Sequence, residues 1–346
     1  MKQMALRASS PYTNGTMNPD SHVTSGGVLN AEAALPELVV KRLKMLLKPN
    51  EYESSMKSFA LRKPVTIRPN TLRAKESDVI QEVSNAGMRT TPITWCPQCH
   101  LLVDGTVRKL QELPYWQTGG FYIQAASSML ASHVLQVESG MRVLDMCAAP
   151  GSKTTHIATL MNNQGMLVAN DRSRKRLYRL REILQRQGAT HVEILCGPGE
   201  RLGQSHADCF DRVLVDAPCS GEGRFRLDKP IRFTRWNMQE IRTLAKLQEQ
   251  LLVAALRCVC AGGMVVYSTC TFAPEENEFV LDKVLSRNTI DAEVVPIPMH
   301  LLPPTSIAPT TTWNNVEITN DLSNAIRIIP DETTTGFFIA CLKRLS

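Results

Sequence analysis

Between residues 142 and 267 the chain alternates short apolar runs with longer stretches of helical spacing, and this rhythm restricts the fold more than any other feature. The runs 142–147, 166–169, 192–195, 212–216 and 264–267 each end in polar or turn-forming residues, as strands do. Between them, 154–161 reads as a helix. Leu177, Leu180, Ile183 and Leu184 give a second helix one apolar side, and 240–259 reads as a long third helix. Strands alternating with helices predict an α/β fold with a mostly parallel, doubly wound sheet. The Pro- and Thr-rich stretch 288–326 reads mainly as loop, and 336–341 as a closing strand.

The 346 residues suggest roughly two domains. Residues 1–30 read as a flexible arm rich in Ser, Thr, Asn and Gly. Residues 31–118 read as a small α+β module. It holds a helix from Leu35 closed by Pro49, a β segment at 65–68, and a helix at 77–85 with Ser77 as N-cap and Gly87 as stop. The rhythm changes after Gly119-Gly120, which places the α/β domain at 119–346. No apolar run approaches about 18 residues, so no membrane span is expected. The polar start lacks a signal-peptide core, and a cytoplasmic protein is expected. Ten cysteines then read as reduced thiols. Cys96-Pro-Gln-Cys99-His100 matches the haem-attachment spacing, but that chemistry belongs to an oxidising compartment. Zinc would need a second ligand pair, so no metal is expected. The net charge of +6 is mild; its densest source is 172–186, with seven Lys and Arg against Glu182 alone. That stretch is either a solvated helix face or a phosphate-facing stripe.

Ligands of open α/β sheets bind at the carboxyl ends of the strands. There the first turn carries Pro150-Gly151, Lys153 starts the next helix, and Asp171 closes the second strand, where a carboxylate can accept from ribose hydroxyls. The dinucleotide pattern G-x-G-x-x-G is missing, which favours a ligand with ribose but no pyrophosphate, S-adenosylmethionine being the candidate. A structural turn beside a surface Asp is the alternative. Two cysteines follow two further strands, in Asp216-Ala-Pro-Cys219-Ser and in Tyr267-Ser-Thr-Cys270-Thr. Thiols at strand exits among Gly, Pro and polar residues favour reactivity, whereas Cys258 and Cys260, at the apolar end of a helix, read as packing. Two thiols and a carboxylate beside a methyl donor suit methylation of pyrimidine C5, which is a poor nucleophile until a thiolate adds at C6. Cys270, Cys219 and Asp216 can share these roles.

The segments FYIQAASSML (121–130), LDMCAAPGSKT (144–154), DAPCSGEGRF (216–225), YSTCTFAPEENE (267–278) and the terminal GFFIA carry a resemblance. The chain resembles the Sun/RsmB/RsmF family of S-adenosylmethionine-dependent RNA (cytosine-5) methyltransferases, nearest to RsmF-like bacterial members. The resemblance implies a Rossmann-like class I methyltransferase domain behind an N-terminal RNA-contacting module. It implies that Cys270 attacks C6, that Cys219 promotes breakdown of the adduct, and that Asp216 and Lys153 hold the ring edge and the reacting centre. It further implies that Cys147, Ala148, Ala149, Pro150, Gly151, Ser152, Lys153, Asp171, Arg176 and Asp216 hold S-adenosylmethionine. RNA is the implied partner, ribosomal before transfer RNA, and a monomer is expected. Pro198 stands where many relatives place an Asp near the adenine, with Glu200 as its nearest substitute, and Arg226-Leu227-Asp228 replaces the usual Arg-Lys-Asp. The chain stops without the extra RNA-binding domain of some members, so target selection is expected to use the N-terminal module and the catalytic face. A DNA cytosine-5 methyltransferase would use the P-C cysteine as nucleophile, and the T-C-T cysteine argues against it. A catalytically silent RNA-binding protein is the remaining alternative.

Overall fold

A computed structural model of the chain describes residues 26–287 and 290–346. The expected arm at 1–30 lies outside the described residues up to 25, and its end is helical. Helix α1 (Gly26–Ala34) is followed by α2 (Glu37–Leu46) and α3 (Pro49–Ala60). Ala31 and Leu35 draw α1 into an apolar cluster, which is why the helix begins before residue 30. Pro49 does more than end a helix: it occupies the first turn of α3, where its missing N–H costs nothing. The cluster joins Val39, Leu43, Met56 and Phe59 of these helices to Phe225, Phe233 and Phe272 of the α/β domain.

A separate small sheet follows. Strand β1 (Thr66–Pro69), helix α4 (Glu76–Asn85), β2 (Thr90–Pro92), β3 (His100–Leu102), α5 (Val107–Glu112), α6 (Pro114–Thr118) and β4 (Phe121–Ile123) form an antiparallel sheet ordered β2-β3-β1-β4 under three helices. Its core is built from Ile67, Val79, Val83, Leu102, Leu110 and Phe121. Strand β4 pairs with β1, so this unit runs past the boundary expected at 118, and α1–α3 lie on a different core. Ser77 does not cap α4. The cap position falls on Lys75, and the Ser77 hydroxyl donates to Asp78 instead.

The α/β domain opens with α7 (Ala126–Val134), then β5 (Arg142–Asp145), α8 (Ser152–Leu160), β6 (Met166–Asn170), α9 (Arg174–Gln187), β7 (Val192–Leu195), α10 (Leu202–Ser205) and β8 (Phe210–Asp216). It continues through α11 (Ile231–Thr234), α12 (Met238–Cys258), β9 (Val259–Thr269) and α13 (Glu278–Ser286). Short strands β10 (Ala292–Val295), β11 (Ser306–Ile307), β12 (Thr312–Trp313), β13 (Val316–Glu317) and β14 (Ile326–Ile328) occupy the stretch expected to be loop, and β15 (Phe337–Arg344) closes the chain. The large sheet is ordered β11-β14-β15-β9-β8-β5-β6-β7, with β10 also on β15. Strands β5 to β9 pair in parallel, and β15 is antiparallel to β9. Helices α7, α8 and α9 bury one face, α12 and α13 the other, giving two apolar layers as a doubly wound sheet requires. The chain leaves β5 outward to β6 and β7, then returns to β8 on its other side. That reversal makes the crevice at the ends of β5 and β8 the place for a ligand.

Candidate active site

Strands β8 and β9 are neighbours in register up to Asp216 and Ser268, and the ladder ends with the Ala217 N–H donating to the Ser268 carbonyl at 2.9 Å. Each strand then runs into a loop carrying one thiol. The two sulfurs of Cys219 and Cys270 lie 3.3 Å apart, and the Cys270 N–H donates to Cys219 Sγ, also at 3.3 Å. Both residues are half-buried. Their charge states separate. The hydrogen bond between the sulfurs pulls the Cys270 pKa down to about 7 against its burial and the charge of Asp216, with Arg224 and Lys153 helping. The same bond and the same burial push Cys219 well above the usual thiol range. The two thiols therefore differ in acidity, Cys270 being the more readily ionised.

Lys153, near the start of α8, is 7% exposed, and its Nζ donates to Asp216 Oδ2 at 2.7 Å and to Ser128 Oγ at 2.9 Å. The other oxygen of Asp216 accepts from Ser268 Oγ at 3.0 Å. This ammonium–carboxylate pair stands at the exit of β8, three residues before Cys219. Below it, Asp145 is buried. Its Oδ2 accepts from Thr154 at 2.7 Å, while its Oδ1 has no partner among the described residues. Burial pushes this carboxyl up to about 7.

The turn from Cys147 to Ser152 joins β5 to α8. Gly151 has φ +113°, a backbone conformation that residues with a side chain rarely adopt, so the turn calls for glycine. No side chain caps α8, which leaves its first N–H groups facing the crevice. Asp171, 2% exposed, straps the turn: its Oδ2 accepts from the Ala149 N–H at 3.3 Å and from Arg176 at 2.9 Å, and its Oδ1 from the Ser173 N–H at 2.9 Å. Arg176 also donates to the Ala149 carbonyl. The sequence-expected residues thus fall into two connected groups, the turn strapped by Asp171 and the thiol loops beside Lys153 and Asp216. Glu200 is placed elsewhere, lining a cleft with Gln204, Ala254 and Arg257.

Sequence reasoning assigned no role to the residues that hold the thiol loops. Glu222, Gln248, Glu276 and Asn277 are all buried and bond to them. The run Pro274–Glu278 was visible as a motif, and its three acids in an otherwise apolar region were the available signal. Cys96 and Cys99 are buried against α7, where they pack. Cys260 does not share the helix end with Cys258: it lies in β9, its thiol turned to Asp211 at 3.7 Å. Among the described residues no group of three or more His, Cys, Asp or Glu is placed to hold a metal ion, and no helix is long and apolar enough to cross a membrane.

Residues 132–343 match the family model of the 16S rRNA methyltransferase RsmB/F, and residues 35–126 match the N-terminal domain of the 16S rRNA methyltransferase RsmF. The chain is 40% identical over 246 residues to ribosomal RNA small subunit methyltransferase F of Aeromonas salmonicida, covering 67% of this chain and 51% of that protein. It is 34% identical over 289 residues to the 26S rRNA (cytosine-C(5))-methyltransferase nsun-1 of Caenorhabditis elegans, covering 82% of this chain and 42% of that protein. The chain spans about half the length of the curated relatives it matches. A solved methyltransferase homolog protein from Pyrococcus horikoshii is similar with TM-score 0.78 and 31% identity, over 92% of this chain and 99% of that one.

Proposed function

The chain belongs to the 16S rRNA methyltransferase RsmB/F family, and from that premise we propose that it methylates C5 of a cytidine in ribosomal RNA with S-adenosylmethionine. The observation that carries this reading is the thiol pair, 3.3 Å apart at the exits of β8 and β9, beside the Lys153–Asp216 ion pair.

The crevice fits the cofactor. Asp171 at the exit of β6 suits ribose hydroxyls, and the uncapped start of α8 suits a carboxylate. Asp145, buried with an Oδ1 that has no partner among the described residues, is a carboxyl that a donor such as an ammonium would ionise. Residues 147–153 with Asp171, Arg176 and Asp216 would hold the group, and when bound it supplies an electrophilic methyl.

The remaining chemistry belongs to this chain's side chains. Cys270 Sγ, as thiolate, adds to C6 and makes C5 nucleophilic. The Lys153–Asp216 pair, three residues before Cys219, would meet the edge of the ring and offset charge that develops there during addition. Once Cys270 sulfur is bonded to carbon it carries no charge, and the largest contribution raising Cys219 is gone. Cys219 then passes its proton to solvent water, and its thiolate takes the proton from methylated C5; the C5–H electrons re-form the C5–C6 double bond and expel Cys270 as thiolate. Transfer of labelled methyl from S-adenosylmethionine to small-subunit ribosomal RNA, followed by bisulfite sequencing, tests the activity. The expected result is one protected cytidine with the wild-type protein and none with Cys270→Ala. Labelling that survives Cys270→Ala would refute the mechanism, and labelling confined to transfer RNA would refute the substrate.

A further inference from the structure

The ladder between β8 and β9 stops at Ala217 and Ser268, so it does not set the distance between the thiols two residues further on. Something else does. We propose that Glu276 and Asn277 are paired positioning residues, Glu276 fixing the Cys219 loop and Asn277 fixing the Cys270 loop. The inference rests on the cysteine mechanism above and extends it to residues that touch neither substrate nor cofactor.

Both side chains are fully buried. Glu276 Oε2 accepts from the Ser220 N–H at 3.0 Å and from Gln248 Nε2 at 2.9 Å, and its Oε1 accepts from the Ser220 hydroxyl. Gln248 also donates to the Pro218 carbonyl at 2.8 Å. The residues on either side of Cys219 are thus both tied to one carboxylate, directly or through one amide. Asn277 does the same for Cys270. Its Oδ1 accepts from the Thr269 hydroxyl at 2.6 Å, and its Nδ2 donates to the Thr271 carbonyl at 3.0 Å. A rung of 2.7 Å between Ser220 Oγ and Thr271 Oγ1 joins the two clamped loops. The residues flanking this pair are anchored outward: Glu275 accepts from Arg42 of α2 at 2.6 Å, and Glu278 from Arg327 at 2.5 Å. Two adjacent side chains therefore hold the two sulfurs from one rigid turn.

A buried carboxylate that only filled space would cost stability without return. Here every bond it accepts comes from the Cys219 loop or from the glutamine that holds it. Releasing that loop leaves the Cys270 loop held by Asn277, so attack on C6 still proceeds, slowed by the weakened bond to Cys219, while resolution slows further. Releasing the Cys270 loop stops attack itself. The two effects have opposite signs in one readout, the fraction of protein bonded to RNA, and a merely structural lesion lowers that fraction in both cases.

The test compares the full chain with Glu276→Ala, Glu276→Gln, Asn277→Ala and Cys219→Ala, each mixed with small-subunit ribosomal RNA and S-adenosylmethionine. Turnover and the denaturation-resistant protein–RNA band are both measured. Glu276→Ala is expected to lose about tenfold in turnover while raising the bonded fraction about tenfold over wild type. Asn277→Ala is expected to lose turnover and to lower the bonded fraction below wild type. Glu276→Gln stays within about threefold of wild type, because its oxygen accepts from Ser220 N–H and Gln248 while its amide donates to Ser220 Oγ. Should Glu276→Ala fail to fold, Ser220→Ala gives the same direction with a smaller rise. A Glu276→Ala or Ser220→Ala protein that folds but gathers no bonded RNA, while Cys219→Ala does, overturns this inference alone. Failure of Cys219→Ala itself to gather bonded RNA overturns the mechanism beneath it.

Discussion

At the scale of single residues, the two thiols differ because of one hydrogen bond. Cys219 and Cys270 are chemically identical and sit at equivalent strand exits, yet Cys219 is held well above the usual thiol range and Cys270 falls to about 7. The rate of bond formation between protein and RNA should therefore rise with pH through about 7 and level off above it; a rate flat from pH 6 to 8 would contradict a Cys270 thiolate. Asp145 makes a second prediction. Burial raises its carboxyl from 3.8 to about 7, so the folded chain keeps a proton that the unfolded chain releases. The stability this gives is complete below about pH 4 and is lost as pH rises through 7. Asp145→Asn keeps an acceptor for Thr154 and carries no charge, so its melting temperature should gain on wild type between pH 5 and 8, and a constant difference would count against the assignment. The spacing and polar surroundings of both cysteines were legible in the sequence. Their difference in acidity was not, because it depends on a contact between loops 51 residues apart.

Elements position these residues through close backbone approach. Gly223 donates its N–H to the Cys270 carbonyl at 2.9 Å and accepts from the Gly336 N–H at 3.0 Å, and a Cβ on Gly223 would lie 2.2 Å from the Gly336 carbonyl oxygen. Backbone cannot yield as a side-chain tip does. Gly223→Ala should destabilise the fold by about 1–3 kcal/mol and cut turnover further than that loss explains, read by denaturant unfolding alongside initial rates. An alanine protein with wild-type rates would show that the contact is dispensable. The strand–helix alternation of the α/β domain was readable because each element buries a regular apolar face, as α9 does with Leu177, Leu180 and Leu184. The start of α4 was not, because Ser77 bonds its neighbour instead of the helix end. The short strands after residue 290 escaped for a different reason: two to four residues of pairing carry no periodicity to detect.

In the whole molecule, the N-terminal region divides its work. Helices α1–α3 pack on the phenylalanines beside the thiol loops, and the Arg42–Glu275 pair ties α2 to the turn that precedes Glu276. The four-stranded unit keeps its own core. Helices α2 and α3 and this unit fall within the one matched N-terminal domain, residues 35–126, yet join different cores, and which core a helix joins is a tertiary fact. On α9, Arg174, Lys175, Arg179 and Arg181 are exposed beside Tyr178, and Arg176 is the one cation of this helix paired with a carboxylate among the described residues. If this face meets RNA phosphates, replacing Arg174, Lys175 and Arg179 with Gln should lower the slope of log affinity against log salt by roughly two to three; an unchanged slope would assign the helix to solvent.

The central claim is that Cys270 bonds to the pyrimidine and Cys219 releases it. Intact-mass measurement of the Cys219→Ala protein after incubation with RNA and S-adenosylmethionine tests this most directly. The account predicts a stable protein–RNA species whose linked peptide contains Cys270. A species linked through another residue, or none at all while product still forms, would contradict it.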